Sequence, residues 1–300
     1  MCQENLTPVR FHGAPRHGQE GAFARRTRPE SGLTTRHPPA YAGPRMRLAG
    51  EKILITGSTS GIGRQTALTC AREGARVAVH GRDVTRGEAV VRAIVDAGGE
   101  AVFVAADIAH EDACTGLVDT VADLLGGLTV LVNNAVAGSG GRSPVGALDT
   151  ALWERVLRVN LTSVAWLCRA TIPHMLRAGH GSIVNVSSRQ AERASPGFAP
   201  YVASKGGLNA LTRSIAVDYG RQRIRCNALS VGYVENPRRD AGMTPERRAE
   251  LEAMHLTRLG RAEDIAWAVV YLASAESEFV TGALLPIDGG GTIARGRVLG

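Results

Sequence analysis

Three residues in the second half of this 300-residue chain have the types and spacing to move a proton. The segment SIVNVSSRQ reads as an apolar strand ending at Ser187 and Ser188, and YVASK places Tyr201 and Lys205 beyond it. An i, i+4 spacing sets the tyrosine and lysine on one face of a helix. A lysine ammonium so placed favours the phenolate and draws the tyrosine toward working pH, which makes a phenol usable as a general acid and base. Ser188 could hydrogen-bond a substrate oxygen and stabilise charge that develops there. Tyrosine and lysine in this spacing are common on helices by chance; the strand-end serine is what makes the combination informative.

A second constellation lies nearer the front. The apolar run KILIT leads straight into TGSTSGIG, Thr56 to Gly63, and then into helical periodicity. A strand ending in glycines lets backbone N–H groups approach a pyrophosphate at a helix N-terminus. Gly57 permits the turn, Gly61 the close approach and Gly63 the packing of helix on sheet, with Ser58, Ser60 and Ile62 filling out the cradle. The spacing differs from the common G-x-G-x-x-G, so its position after a first strand carries more weight than the glycines alone. After the second strand, VAVHGRD puts Gly81 where an NAD site carries an acid for the ribose hydroxyls, and Arg82 follows it. A guanidinium pairs with a 2′-phosphate that an acid would repel, so NADP(H) is the expected cofactor. The plainer alternative is a surface arginine with weak adenosine selectivity.

These groups need a scaffold, and the chain supplies a repeating one. Apolar runs at 52–56, 76–80, 101–106, 128–134, 182–187 and 223–229 alternate with helical patterns. The helical period is clear at 111–125 through Ala113, Leu117, Val121 and Leu124/Leu125, and at 201–219 through Leu208, Leu211, Ile215 and Tyr219. Strands apolar on both faces, separated by helices, indicate a parallel sheet covered on both sides with ligands at its carboxyl ends. The expected architecture is α/β: a single doubly wound Rossmann-type domain over 46–300.

Residues 1–45 have a different texture, with six prolines, seven arginines and no apolar period. More than half of the net charge of +7 sits there, so the basic balance reads as a solvated, disordered tail rather than a nucleic-acid surface. A dispensable extension, or a true start at Met46, is expected. No uninterrupted apolar stretch marks a secretory signal or a membrane span. Five scattered cysteines without a C-x-x-C pair argue against disulfides and zinc and fit a reducing cytoplasm. No catalytic metal is expected.

From about 48 to 290 the chain resembles the short-chain dehydrogenase/reductase family. Its TGxxxGxG stands here as TGSTSGIG, its YxxxK as Tyr201 to Lys205, and its serine, thirteen residues ahead of the tyrosine, as Ser188. Its helix asparagine matches Asn160 in LRVNLTS, its acid after the third strand Asp107 in AADIA, and its last strand TGALLPIDGG. The resemblance implies an NADP(H)-preferring, ketoreductase-like enzyme that moves a hydride between the nicotinamide and a carbonyl or alcohol carbon. Tyr201 would protonate the carbonyl oxygen or take the alcohol proton. Lys205 would also hold the nicotinamide ribose, and Asn160 would serve a water-linked proton relay through Lys205. Asp107 would contact adenine, with Ile108, Asn134, Gly232 and Val234 also on the cofactor and 235–258 as a variable substrate lid. Val136, Val231 and Asn236 depart from the family's glycine, proline and threonine, which puts loop geometry rather than cofactor binding in question.

Arg189, Arg193, Arg238 and Arg239 gather near the expected mouth, where a polar or anionic substrate is one reading. Arg248 and Glu252 are spaced for an ion pair on a solvated helix, and Met243, Leu251, Met254 and Leu256 would equally suit an apolar substrate. Non-redox chemistry by the same acid/base groups, or an NADP-binding regulator, are the competing classes; a complete tetrad of Asn160, Ser188, Tyr201 and Lys205 speaks against the regulator. The partner expected is a small molecule, with no nucleic acid and no membrane. Val159, Val164, Trp166, Leu167, Ile172 and Met175 give the helix at 158–178 more apolar surface than one stripe needs. Part of it should face a partner, and the resemblance implies a twofold mate on the two helices before the serine strand and a second interface at the last strand, so a homotetramer is expected, with a dimer as the runner-up.

Overall fold

In the computed structural model, residues 46–138 and 143–294 are described; the basic segment 1–45 lies outside them. Strands β1 (Lys52–Ile55), β2 (Arg76–Gly81), β3 (Glu100–Ala105), β4 (Val130–Asn133), β5 (Gly181–Val186), β6 (Ile224–Val231) and β7 (Leu284–Ile287) form one sheet. All pairs are parallel, in the order β3-β2-β1-β4-β5-β6-β7. The winding reverses at β1 and β4, which opens a crevice at the carboxyl ends of those strands.

Eight helices connect the strands among the described residues: α1 (Gly61–Arg72), α2 (Val84–Asp96), α3 (Glu111–Leu125), α4 (Thr150–Leu157), α5 (Ser163–Ala178), α6 (Ala199–Tyr219), α7 (Pro245–Glu252) and α8 (Ala262–Ala273). Side chains alternate across a strand, so each strand feeds two cores. Ile53 and Ile55 pack with Ala67 of α1, Ile94 of α2 and Val269 of α8 on one face. Leu54, between them, packs with Leu117 of α3, Leu167 of α5 and Leu208 of α6 on the other. Each such leucine or isoleucine, fully removed from water, contributes about 1.5–3 kcal/mol. The continuous apolar runs in the sequence follow from this two-sided burial.

The stripe expected on α3 is largely as the spacing implies: Leu117, Val121 and Leu125 are buried, while Leu124 is 49% exposed. The apolar surplus expected to face a partner on α5 is mostly absorbed internally. Val164, Leu167, Ile172 and Met175 are buried, and Val159 and Trp166 pack partly against the same core. The helix packs beside α3 and onto β4 and β5, so two of its faces are covered by its own domain.

Candidate active site

The turn after β1 is built by hydrogen bonds to β1 itself and to residues at the ends of both its neighbours, β2 and β4. Gly57 has φ +65° and Gly61 φ +53°, a region that side chains rarely tolerate. Any Cβ on Gly57 would sit 2.9 Å from the Ala135 Cα, and one on Gly63 would collide with Asn134 Nδ2 and Gly57 O. Asn134 Nδ2 donates to Thr56 O at 2.9 Å and to Gly57 O at 3.1 Å, tying β4 to the turn. Ser58 Oγ donates to Ile55 O at 2.7 Å and accepts from the His80 N–H at 2.9 Å. Asn134 and Ser58, expected on the cofactor, are thus also braces of the turn.

His80, which the sequence reading did not single out, is the hinge pin on the β2 side. Its Nδ1 accepts the Gly57 N–H at 3.2 Å, and its Nε2 lies 3.2 Å from Ala106 O. An accepting Nδ1 requires the proton on Nε2, so the ring is neutral. Burial pushes its pKa down to about 4. The only cue in the sequence is a titratable ring at the end of an apolar strand, one residue before Gly81.

Helix α1 begins in the crevice without a side-chain cap on Ser60 and without an acid in its first turn. Its leading N–H groups have no partner within the helix, and its positive dipole end favours an anion. The glycine cradle and this open helix start fit a dinucleotide pyrophosphate. Gly81 closes β2 with no space for a side chain, since a Cβ there would lie 2.5 Å from Thr59 Cγ2. Arg82 beyond it is 79% exposed, and its guanidinium reaches only to 3.8 Å from Asp107 Oδ2. The two residues expected at the adenosine end do meet at one corner. Ile108 is buried in the core, so only its backbone faces that corner; Ile62 is partly buried against the opposite core.

On the other side of the crevice, β5 delivers Ser188 and α6 delivers Tyr201 and Lys205 from its first two turns. Lys205 is buried; its Nζ donates to Val186 O at 2.7 Å and lies 5.7 Å from the Tyr201 ring centre. Burial pulls the ammonium down to about 8. Burial raises the Tyr201 pKa, against which the Ser188 hydrogen bond and the Arg239 charge act. The ammonium expected to depress the phenol thus stands beside its ring, and the Ser188 hydrogen bond and the Arg239 charge draw the phenol in the same direction.

Asn160 sits in a π-helical turn, Arg158–Thr162, between α4 and α5. Such an inserted turn often marks a functional position because it re-aims a side chain inward. Here Asn160 Oδ1 accepts the Ala137 N–H at 2.9 Å, and Nδ2 donates to Ser204 Oγ at 3.2 Å. It joins the loop after β4 to the helix carrying Tyr201. Val136, at the family's glycine position, is half exposed and displaces nothing in the core.

The crevice is completed from the end of β6. Val231 continues the ladder opposite Ile287, and a Cβ on Gly232 would lie 2.7 Å from the Asp288 Cα. Val234 is buried beside Gly260. Asn236 Nδ2 stands over Gly61, 3.5 Å from where a Cβ would be, and Asn236 Oδ1 accepts the N–H groups of Arg238 and Arg239. Of the arginines expected at the mouth, Arg239 is engaged internally. It pairs with Asp240 at 2.7 Å, donates to Val234 O at 2.7 Å, and stacks 4.3 Å from the Tyr233 ring centre. The expected Arg248–Glu252 pair forms at 2.9 Å.

Comparison with known proteins agrees with this geometry. Residues 57–292 match the family described as enoyl-(acyl carrier protein) reductase. The chain is 41% identical over 241 residues to the cis-4-hydroxycyclohexanecarboxylate dehydrogenase of Sinomonas cyclohexanicum, covering 80% of this chain and 95% of that one. It resembles the solved gluconate 5-dehydrogenase of Burkholderia cenocepacia J2315 in complex with NADP and tartrate, with TM-score 0.78, 34% identity and 84% and 98% coverage. A solved 7α-hydroxysteroid dehydrogenase complexed with NADH and 7-oxo glycochenodeoxycholic acid matches at TM-score 0.78 and 32% identity, over 82% and 96% of the two chains. The family match opens on Gly57 and closes beyond β7, and the chain belongs to the short-chain dehydrogenases/reductases, NAD(P)-dependent oxidoreductases of alcohol and carbonyl carbons.

Proposed function

We propose that this protein is an NADP(H)-dependent ketoreductase or alcohol dehydrogenase in which Tyr201 is the general acid and base. The observation that carries the proposal is the corner of Ser188, Tyr201 and Lys205: a half-buried phenol touched by a serine hydroxyl, with an ammonium beside its ring. Bound nicotinamide supplies the hydride in one direction and accepts it in the other. Ser188 steadies the substrate oxygen and Tyr201 exchanges a proton with it. Lys205, whose Nζ donates to Val186 O, would hold the nicotinamide ribose. Asn160 keeps the α6 start registered against the loop after β4.

For the choice of NADP(H), support comes from Arg82, exposed beside a strand end where Gly81 stands in place of an acid. Residues 235–258, including α7, are proposed as the lid over the substrate. The relatives named above are dehydrogenases of a hydroxycyclohexanecarboxylate, of gluconate and of a 7α-hydroxysteroid. Reduction of cyclic and open-chain ketones, followed as loss of reduced-nicotinamide absorbance in step with alcohol formed, tests the reading. Alcohol formed without cofactor oxidation, or dehydration alone, overturns it.

A homotetramer, with a dimer as runner-up, is proposed as the assembly; Val217 on α6 and Phe279 ahead of β7 are exposed apolar side chains. No helix among the described residues is long and apolar enough to cross a membrane. Cys70, Cys114, Cys168 and Cys226 are buried free thiols, which supports a reducing cytoplasm as the proposed location.

A further inference from the structure

Arg189 follows Ser188 directly, in the short turn Arg189–Ala191 that leads away from β5. Its side chain is half-buried, and it forms no hydrogen bond or ion pair with any described residue. Of the arginines nearby, Arg238 is exposed to water and Arg193, Arg239, Arg247 and Arg248 are engaged. Arg193 donates to the carbonyls of Gly291, Thr292 and Ala294. Arg239 holds Asp240, Arg248 holds Glu235 and Glu252, and Arg247 holds Glu250. The Asp288 charge acts on Arg189 without a hydrogen bond to it, and its oxygens already accept the Gly290 and Thr292 N–H groups at 3.0 and 2.6 Å. A guanidinium half removed from water with no hydrogen-bonding partner is costly, and a bidentate anion relieves that cost.

The space beside it suits such an anion. A cavity of about 850 Å³ opens between the Arg189 turn, α7 and the segment after β7. Ala253 and Met254 give it an apolar wall, and the Arg189 guanidinium lies against Gly291, where a Cβ would collide with it. Two acids also line this cavity, but neither claims Arg189. Glu250 is paired with Arg247, and Glu246 accepts its own backbone N–H and the Thr244 hydroxyl at the start of α7.

We propose that Arg189 is the specificity-determining residue for an organic-acid substrate. It binds the substrate carboxylate while the carbinol or carbonyl carbon lies at Tyr201. The proposal rests on the redox reading above and names its substrate class: a hydroxy or oxo acid whose carboxylate is separated from the reacting carbon by an apolar spacer. The cavity wall of alanine and methionine contacts that spacer, and the arginine fork selects the acid over its neutral relatives.

The test uses the cofactor-loaded full-length enzyme. In the first arm, kcat/KM is measured with NADPH for 4-oxocyclohexanecarboxylate and for neutral 4-methylcyclohexanone, in the wild type, Arg189→Gln and Arg189→Lys. The wild type is expected to prefer the acid at least tenfold, Arg189→Gln to lose that preference through KM, and Arg189→Lys to keep part of it. Equal use of both ketones by the wild type, or an unchanged preference in Arg189→Gln, overturns the proposal. In the second arm, cyclohexanecarboxylate is titrated calorimetrically into the NADP⁺-loaded proteins, which needs no turnover. Saturable binding weakened at least tenfold in Arg189→Gln supports the anion site even if no ketone is reduced, an outcome that would overturn only the redox reading. Equal binding by both proteins overturns the anion site, whatever the turnover, and Arg189→Lys serves as the reference if Arg189→Gln has a lowered melting temperature.

Discussion

His80 Nδ1 accepts the Gly57 N–H across 3.2 Å, so the end of β2 carries the first bend of the glycine turn that leaves β1. This bond exists only while the ring is neutral. Burial holds the ring at about 4, well below the ordinary histidine value near 6.5. Between those two values the unfolded chain binds a proton that the folded one refuses, so stability rises with pH across that window and is level above it. His80→Leu is expected to remove that slope and to leave the Gly57 N–H unpaired, at a cost of about 1–3 kcal/mol. Urea unfolding at pH 5 and pH 7.5 checks both: the wild type should differ between the two, the variant far less. Equal slopes would remove His80 from this role.

Tyr201→Phe keeps the ring and its packing but takes away the proton. Near-native melting and NADPH affinity are expected, with turnover lower by ~100-fold or more. Turnover above about a tenth of wild type, measured at saturating cofactor, would dismiss the acid/base role.

Arg82→Ala removes the exposed cation at the adenosine corner without disturbing any short hydrogen bond. The KM for NADPH should rise about tenfold while that for NADH stays nearly level, as loss of one charge-assisted pair costs about 1.5–3 kcal/mol. Parallel rises for both cofactors would show that Arg82 does not read a 2′-phosphate.

Lys205 titrates at about 8 because it is buried, and its ammonium is the form that can hold a ribose hydroxyl. The charged form is lost as pH rises, so kcat/KM for the cofactor should fall above pH 8 and stay flat from pH 6 to 7.5. In Lys205→Ala that limb should vanish along with most of the activity. A wild-type profile that is flat to pH 10 would contradict the assignment.

Assembly is the remaining quantity to measure. Light scattering at micromolar concentration should give a mass near four times 31.6 kDa. A monomeric mass with full activity would overturn the tetramer and the dimer alike.

Much of the site was legible because its residues lie in short local patterns. The glycines of the turn, the tyrosine and lysine one helical turn apart, and the strand-end serine each declare themselves within a few residues. What stayed hidden depends on partners distant in the chain. His80 meets Gly57 across 23 residues and Asn160 meets Ser204 across 44, and no window of sequence shows such pairs. The apolar count of α5 misled for the same reason: periodicity reveals how much surface is apolar, not how many neighbours cover it. The arginines at the mouth looked equivalent as a group, and only the partners of Arg193 and Arg239 and the exposure of Arg238 set Arg189 apart.

The reversal of winding at β1 and β4 has a consequence for how this protein can change. Arg82 and Asp107 hang from β2 and β3; Ser188 and Arg189 hang from β5. From β2 to β5 there are three strand spacings, about 14 Å. Sites so far apart, with no shared partner, act on free energy independently. The choice of dinucleotide and the choice of substrate are therefore separable traits, and either half can be exchanged or drift under selection while the other keeps its preference. A double variant at Arg82 and Arg189 would show the product of the two single effects, the signature of a molecule whose two recognitions share a sheet but not a network.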